Sequence, residues 1–95
     1  MYAFEWDDKK NKDNLKKHGI SFDLAQYVFV DPYHVELYDL SHSAEEERYK
    51  IIGMVGKLLV VICTYRKNSI RIISARAADA SERRIYEKNY EKYYK

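Results

Sequence analysis

A stretch in the second half of the chain carries basic residues and no acidic ones. Its basic members, between residues 49 and 78, are Lys50, Lys57, Arg66, Lys67, Arg71 and Arg76. Solvated protein surfaces usually mix the two signs, because interspersed opposite charges avoid self-repulsion. The unmixed stretch therefore predicts that the compensating anions come from outside the chain, as the phosphates of a nucleic acid would.

Three arginines, Arg48, Arg66 and Arg76, are candidates for one cluster that binds successive phosphates of RNA. Residues two apart on a strand share a face, which puts Arg48 with Lys50. If the three strands are neighbours, the guanidinium groups would meet at one face or rim and stabilise a phosphorane-like transition state. Strict alternation puts Arg71 on the face opposite to Arg76. The alternative interpretation is that all of these are ordinary exposed strand arginines.

Cleavage of RNA by its own 2′-hydroxyl needs one group that takes a proton and another that gives one. His18, Glu47 and Tyr86 are the candidates for these two roles. Each also has a purely structural interpretation. His18 would be a surface residue favoured by the dipole at a helix end, Glu47 an ion-pair partner, and Tyr86 a packing residue.

The elements that must position these side chains are organised around a predicted hairpin. Residues 58–63 form a continuous apolar run, which is typical of a central strand buried on both faces. Residues 66–69 have turn-compatible chemistry, and residues 70–76 return as the partner strand. A helix is the competing prediction for either run. The β-branched content and the short lengths favour strands.

The remaining elements follow from local patterns. We predict strands over residues 2–6, 34–39 and 49–55, helices over residues 9–18 and 22–30, a polar connection over residues 41–44, and a last helix after Asp79. The first helix is capped by Asp7 or Asp8 and ends at Gly19. Asp79 with Glu82 fits a capping box. The last helix carries a stripe of tyrosines at helical spacing: Tyr86, Tyr90, Tyr93 and Tyr94.

The order β-α-α-β-β-β-β-α predicts a single α+β domain over residues 1–95. We expect an antiparallel sheet of four or five strands, with two N-terminal helices and one C-terminal helix on its edge or on one face. Hydrophobic residues make up 46% of the chain, with only 3 Gly and 1 Pro. This composition excludes a disordered or fibrous protein.

The charge is divided between the two halves of the chain. Residues 1–48 carry 6 Lys and Arg against 11 Asp and Glu, whereas residues 49–95 carry 11 against 4. The basic half is suited to a nucleic acid or an acidic protein. The lone Cys63 allows no intrachain disulfide, and no apolar run reaches the roughly 20 residues of a membrane helix. We therefore expect a cytoplasmic protein without a membrane contact.

Six short motifs follow one another along nearly the whole chain. They are Phe4-Glu5-Trp6-Asp7, Asn14-Leu15-Lys16-Lys17-His18-Gly19-Ile20, Ser21-Phe22 with Ala25, Glu46-Glu47-Arg48-Tyr49, Ile72-Ile73-Ser74-Ala75-Arg76, and Glu82-Arg83-Arg84 followed by Tyr86. In this order they resemble the BrnT family of type II toxin–antitoxin toxins. The KHG(I/V)-S-F and ISAR-A…ER motifs are quite specific together, whereas either alone is weak.

The resemblance implies a RelE-like fold and a ribonuclease that arrests translation. It also implies a BrnA-type antitoxin whose ribbon-helix-helix half binds DNA. We expect a heterotetramer built on an antitoxin dimer, with DNA bound only through the antitoxin. The matching family-motif positions are Lys17, His18, Glu47, Arg48, Arg76, Glu82, Arg83 and Tyr86.

Residue chemistry and resemblance together predict a metal-independent toxin endoribonuclease that needs no cofactor. The expected catalytic residues are Arg48, Arg76, His18, Glu47 and Tyr86. The expected RNA-binding residues are Lys17, Lys50, Arg66, Arg71 and Arg83, of which Arg66 and Arg71 rest on charge more than on motif. The three histidines are far apart in sequence without a cysteine pair, which disfavours a structural zinc site.

A second hypothesis is a non-catalytic module whose basic sheet face holds an acidic partner protein. The acidic N-terminal half and the tyrosine-bearing helix would then be contact or dimer surfaces. A third hypothesis, DNA binding by this chain itself, is disfavoured, because no helix is dense enough in Lys and Arg with exposed polar side chains to read a groove.

Overall fold

The apolar run that begins at Leu58 lies in the middle strand of a five-stranded sheet, as its composition predicts. The computed structural model describes residues 3–42 and 46–93. Its elements are β1 (Ala3–Glu5), α1 (Asp8–His18), α2 (Phe22–Ala25), β2 (Val35–Tyr38), β3 (Tyr49–Val55), β4 (Lys57–Arg66), β5 (Ser69–Ala77) and α3 (Ala80–Glu91). This order confirms the predicted α+β class and its three helices. No helix in the described ranges is long and apolar enough to cross a membrane.

The strands are ordered β1-β5-β4-β3-β2, and β2 to β5 form an antiparallel meander. The prediction of a purely antiparallel sheet is wrong at one edge, because β1 pairs parallel to β5, with Phe4 opposite Ile70. Two parallel strands need a long connection that crosses from one end of the sheet to the other, and here the connection contains all the elements between β1 and β5. Sequence patterns do not reveal such a long-range strand pair. The RelE-like assignment stays a prediction.

Both faces of the sheet are covered, which corrects the expectation of helices on one face or edge. On the face that we call the α2 face, Phe22 and Ala25 of α2 pack on strand residues such as Val61. On the opposite face, the α3 face, Tyr86 of α3 packs on Val60. The hydrophobic core is divided between the two faces because successive apolar residues of β4 point alternately to one face and the other, and are buried on both.

Helix α1 is anchored to the free edge of β5 beyond β1. Asp7 caps its N-terminus, and Gly19 ends it with a φ of 72°. The side chain of Asn14 donates to the carbonyl oxygens of Ala75 at 2.8 Å and Ile20 at 2.9 Å, and it accepts from the Ala75 N–H at 3.2 Å. This buried amide replaces the missing strand partner of Ala75.

The second predicted helix, over residues 22–30, is only partly α-helical. After α2 the chain tightens into a 3₁₀ segment, Gln26–Val30. This segment alternates aromatic and β-branched residues, which lose rotamer freedom in an α-helix. The segment also lies directly on β3. The close approach is seen at Gly53, where an added Cβ atom would be 2.9 Å from the Val28 carbonyl oxygen.

A β-bulge in β5 changes which residues share a face. Ile62 of β4 lies opposite Ser74, but the next residue, Cys63, lies opposite Ile72, so that Ile73 is an extra residue. Strict alternation therefore fails across Ile73. Arg71 lies opposite Thr64 and belongs to the α3 face.

Some predictions fall outside the described residues. They concern Tyr2 at the start of the first strand, Ser43 and Ala44 in the polar connection, and Tyr94 at the end of the tyrosine stripe. In the described part of that stripe, Tyr86 packs on the sheet, and Tyr90 contacts Tyr33 with ring centroids 4.7 Å apart.

Candidate nucleic-acid interface

Four basic residues of three adjacent strands lie on the α3 face, and we call them the basic strip: Lys50, Arg66, Arg71 and Arg76. Their common face follows from the register with β4, in which Lys50 lies opposite Ile62, Arg71 opposite Thr64 and Arg76 opposite Val60. Since Arg71 belongs to the strip, the expectation that it points away from Arg76 is wrong. The bulge at Ile73 is the reason.

The carboxylate of Glu82 joins two members of the strip. Arg76 donates from Nη1 to Oε1 and from Nη2 to Oε2, both at 2.7 Å, which is a bidentate ion pair. Lys50 Nζ donates to Oε2 at 2.9 Å. The N–H of Asp79 donates to Oε1 at 2.9 Å and completes the capping box of α3. Glu82 therefore connects β3, β5 and the start of α3.

The ionisation of the Glu82 carboxyl is fixed by its hydrogen-bond partners. The Arg76 hydrogen bonds, opposed by burial, lower the pKa of Glu82 to about 2, with the Asp79 N–H and Lys50 also lowering it. The same pair raises the pKa of Arg76. Two cations therefore share the Glu82 carboxylate, which stays ionised at neutral pH.

Arg66 lies at the other end of the strip. Its Nε is 3.4 Å from Glu5 Oε1 and its Nη2 is 3.6 Å from Glu46 Oε2. It lies six positions along β4 from Val60, the residue opposite Arg76. At about 3.3 Å per residue this is roughly 20 Å. The expectation that Arg66 and Arg76 meet at one point is therefore wrong, because they mark the two ends of a strip.

The expectation that external anions balance the acid-free stretch is also wrong for three of its residues. Lys50 and Arg76 pair with Glu82, and Arg66 pairs with carboxylates of Glu5 and Glu46. These acidic residues are distant in sequence and are brought to the strip by the fold.

Arg48 and Glu47 lie where β3 begins. Alternation from β3 assigns Arg48 to the face of Lys50, and its carbonyl oxygen accepts the N–H of Asp39 at 2.9 Å. Glu47 is exposed, and its backbone carbonyl accepts the Thr64 hydroxyl at 2.7 Å. A cavity of about 410 Å³ opens here, lined by Glu46, Glu47, Tyr49, Thr64, Tyr65, Arg66 and Lys67. These residues belong to the Arg66 end of the strip.

Lys17 and His18 are exposed in the last turn of α1. His18 lies one turn after Asn14, so their Cα atoms are about 6 Å apart. Asn14 in turn binds Ala75, the residue before Arg76. The structure thus brings the end of α1 to the neighbourhood of β5 but joins neither side chain to the Glu82 site.

Tyr86 is 7% exposed and its hydroxyl donates to Asp31 Oδ2 at 2.6 Å. Burial, together with this hydrogen bond, raises the pKa of Tyr86. Its placement favours packing over proton transfer to RNA. Arg83 is exposed on α3 and lines a second cavity, which contains none of the strip residues.

From sequence, Glu82 is a family-motif position and a helix-cap residue without a predicted chemical role. The signal that was present, Asp79 followed three residues later by Glu82, predicts the capping box correctly. It does not predict that the same carboxylate also binds Arg76 and Lys50. Asp31 was also missed as a contact of Tyr86, because the two residues are 55 positions apart and no sequence motif links them.

A sequence model of one protein family matches residues 6–82, and that family is described as the ribonuclease toxin BrnT of a type II toxin–antitoxin system. Among solved structures, the chain is similar to the Brucella abortus ribonuclease toxin BrnT, solved at 1.1 Å resolution, with 24% sequence identity and a TM-score of 0.62. The match covers 83% of this chain and 99% of the Brucella chain. No curated protein sequence matches the chain.

Proposed function

Because the chain belongs to the BrnT family, the ribonuclease toxins of type II toxin–antitoxin systems, we propose that it is an endoribonuclease that binds RNA along the basic strip and cleaves it beside Glu82. One observation carries this proposal. Two cations, Lys50 of β3 and Arg76 of β5, are held on a carboxylate that is only 3% exposed, while they themselves stay partly accessible. A phosphate placed there meets two preoriented donors.

Arg76 keeps one edge available for a phosphate. A guanidinium has five N–H groups. Two of those of Arg76 donate to Glu82 and a third, on Nη1, donates to the carbonyl oxygen of Ala77 at 3.2 Å. No described residue accepts from Nε–H or from the second Nη2–H, which form the side edge of the guanidinium. That edge is suited to bidentate phosphate binding.

The proposed reaction is attack of the RNA 2′-hydroxyl on the adjacent phosphorus, with departure of the 5′-oxygen of the next nucleotide. The negative charge that develops on the phosphate oxygens is stabilised by Arg76 and Lys50. Removing a single preorganised donor of this kind typically costs about 10²- to 10³-fold in rate. The two cations supply charge that a metal ion would otherwise supply, so the proposed enzyme is metal-independent.

The remaining strip residues, Arg66 and Arg71, are proposed to bind flanking phosphates, because a strip roughly 20 Å long fits an extended strand better than a single phosphate. His18 remains a proposed proton-transfer group and Arg48 a further phosphate ligand. Glu47 lies at the Arg66 end of the strip, out of hydrogen-bond reach of the Glu82 site, so the proposed cleavage beside Glu82 assigns it no proton transfer. Lys17 and Arg83 are proposed as outer RNA contacts. Of these, Arg83 has the weakest structural support because it borders the other cavity.

The proposed cellular role is translation arrest by RNA cleavage in the cytoplasm. The proposed antagonist is a BrnA-type antitoxin with a ribbon-helix-helix half, in a heterotetramer with an antitoxin dimer. DNA would be bound through the antitoxin. The proposed role and partner extend the description of the family to this chain.

The test is incubation of the purified protein with RNA in EDTA, followed by analysis of the product ends. We expect cleavage with 2′,3′-cyclic phosphate ends, and loss of cleavage when Arg48 and Arg76 are both replaced by alanine. Intact RNA with the wild type, or unchanged cleavage by the double variant, would contradict the proposal. Cleavage that requires added Mg²⁺ would remove its metal-independent part.

The alternative function is a binding module without catalysis, and the intramolecular pairing of three strip cations favours it, since paired cations attract RNA less strongly. Expression in a bacterial host separates the two functions. Growth arrest that disappears with Arg76→Ala supports the enzyme, whereas harmless expression supports the module.

A further inference from the structure

A second cavity, larger than the one at the Arg66 end of the strip, contributes only Arg83 to the proposed RNA contacts. It measures about 800 Å³ and lies between α3, the 3₁₀ segment after α2 and the end of β3. We call it the α3 groove. Its apolar lining includes Tyr27, Val30, Tyr33, Met54, Tyr86 and Tyr90. Large apolar side chains are unusually accessible here, since Val30 is 72% and Tyr27 55% exposed.

The floor of the groove is braced by Asp31. Its carboxylate accepts the Tyr33 N–H at 2.9 Å, the Met54 N–H at 2.8 Å and the Tyr86 hydroxyl at 2.6 Å. Asn89 of α3 donates to the Tyr33 carbonyl oxygen at 3.0 Å. These bonds connect the three walls, so the groove is preformed and a ligand need not order it on binding.

The charges around the groove are mainly negative. Asp31, Glu87 and Glu91 line it, against Arg83 as the only basic lining residue. The second half of the chain is otherwise strongly basic. An RNA backbone is disfavoured at this site, whereas a segment with apolar anchors flanked by Lys or Arg has complementary charge.

A second copy of this chain is a poor occupant through its most basic helix. Helix α1 carries five lysines, but the large apolar side chain that it exposes is Leu15 alone. One leucine does not fill 800 Å³ of apolar groove. A helix that binds such a groove normally inserts several apolar residues spaced three or four positions apart.

We propose that the α3 groove is the docking site for a cationic amphipathic segment of the protein antitoxin, separate from the RNA-binding strip. The proposal rests on the proposed toxin–antitoxin function. The segment inserts apolar side chains between Tyr27 and Tyr90 and places basic residues against Glu87 and Glu91. Since Glu82 and Tyr86 lie one turn apart on α3, a segment bound in the groove also lies beside the Glu82 site.

The test uses the product of the gene adjacent to that of this chain, and it measures binding by calorimetry and association kinetics. Val30→Arg places a cation and a bulky polar group in the groove without disturbing the core. We expect it to weaken binding at least about tenfold. Glu87→Lys should slow association and reduce its salt dependence. Leu40→Arg, at another highly exposed apolar residue that lies outside the groove, is the matched control and should bind as the wild type does.

The same experiment would also reveal a different occupant of the groove. Wild-type affinity of Val30→Arg, or equal loss for Leu40→Arg, overturns the proposal. So does a dimer of the chain alone that dissociates with Val30→Arg, because it assigns the groove to a second copy. RNA cleavage is measured on every variant and should be unchanged. If the wild type does not cleave RNA, the proposed enzyme fails, while the binding measurements still decide the groove.

Discussion

Glu82→Gln tests the central ion-pair site by its pH dependence. The substitution removes the charge that holds Arg76 and Lys50 but keeps an oxygen for the Asp79 N–H, so the helix cap is retained. A carboxyl whose pKa falls from 4.5 to about 2 on folding stabilises the folded state by about 3 kcal/mol at neutral pH. That contribution is complete above pH 4.5 and is lost as the pH falls towards 2.

The assay is urea unfolding of wild type and variant across this pH range. We expect the wild type to be about 3 kcal/mol more stable at pH 7, and the difference to shrink between pH 4.5 and 2. Other carboxyl groups titrate in both proteins and cancel in the difference. Asp79→Ala, which removes the cap but keeps the ion pairs, is the matched control and should cost about 1 kcal/mol. A stability difference that does not change with pH would show that the ion pairs with Arg76 and Lys50 do not stabilise the folded state through the Glu82 charge.

Three further outcomes follow from buried contacts. Asn14→Ala leaves two backbone groups of Ala75 without their partner and should destabilise the fold by about 2 kcal/mol in urea unfolding. Gly53→Ala places a Cβ atom 2.9 Å from the Val28 backbone, and thermal unfolding should show a cost of about 1–3 kcal/mol from overpacking. Burial raises the pKa of the Cys63 thiol to about 12, so thiol reagents should modify it only after unfolding.

Most of the local structure could be predicted from the sequence, because its causes are local. The N-cap by Asp7, the glycine end of α1 and the capping box at Asp79 depend on residues within one turn of one another. The hairpin of β4 and β5 depends on two short apolar runs with a polar turn between them. These elements were confirmed within a few residues of their predicted bounds.

The three-dimensional relations in the site could not be predicted in the same way. One extra residue, Ile73, moves Arg71 to the other face, and no property of its side chain marks the bulge. Three of the six cations in the acid-free stretch proved to be paired with carboxylates that are distant in sequence, among them Glu5 of the parallel edge strand and Glu82 of α3. Charge counted along the chain is therefore a weak guide to charge on a folded surface.

Single-turnover RNA cleavage in EDTA, measured at increasing protein concentration, separates the proposed roles of Arg76 and Arg66 when Arg76→Ala is compared with Arg66→Ala. We predict that Arg76→Ala lowers the saturating rate by about 100-fold or more. Arg66→Ala, at the other end of the strip, should keep that rate and raise the half-saturating concentration roughly tenfold. Equal effects of the two substitutions on the saturating rate, or full activity of Arg76→Ala, would contradict the account.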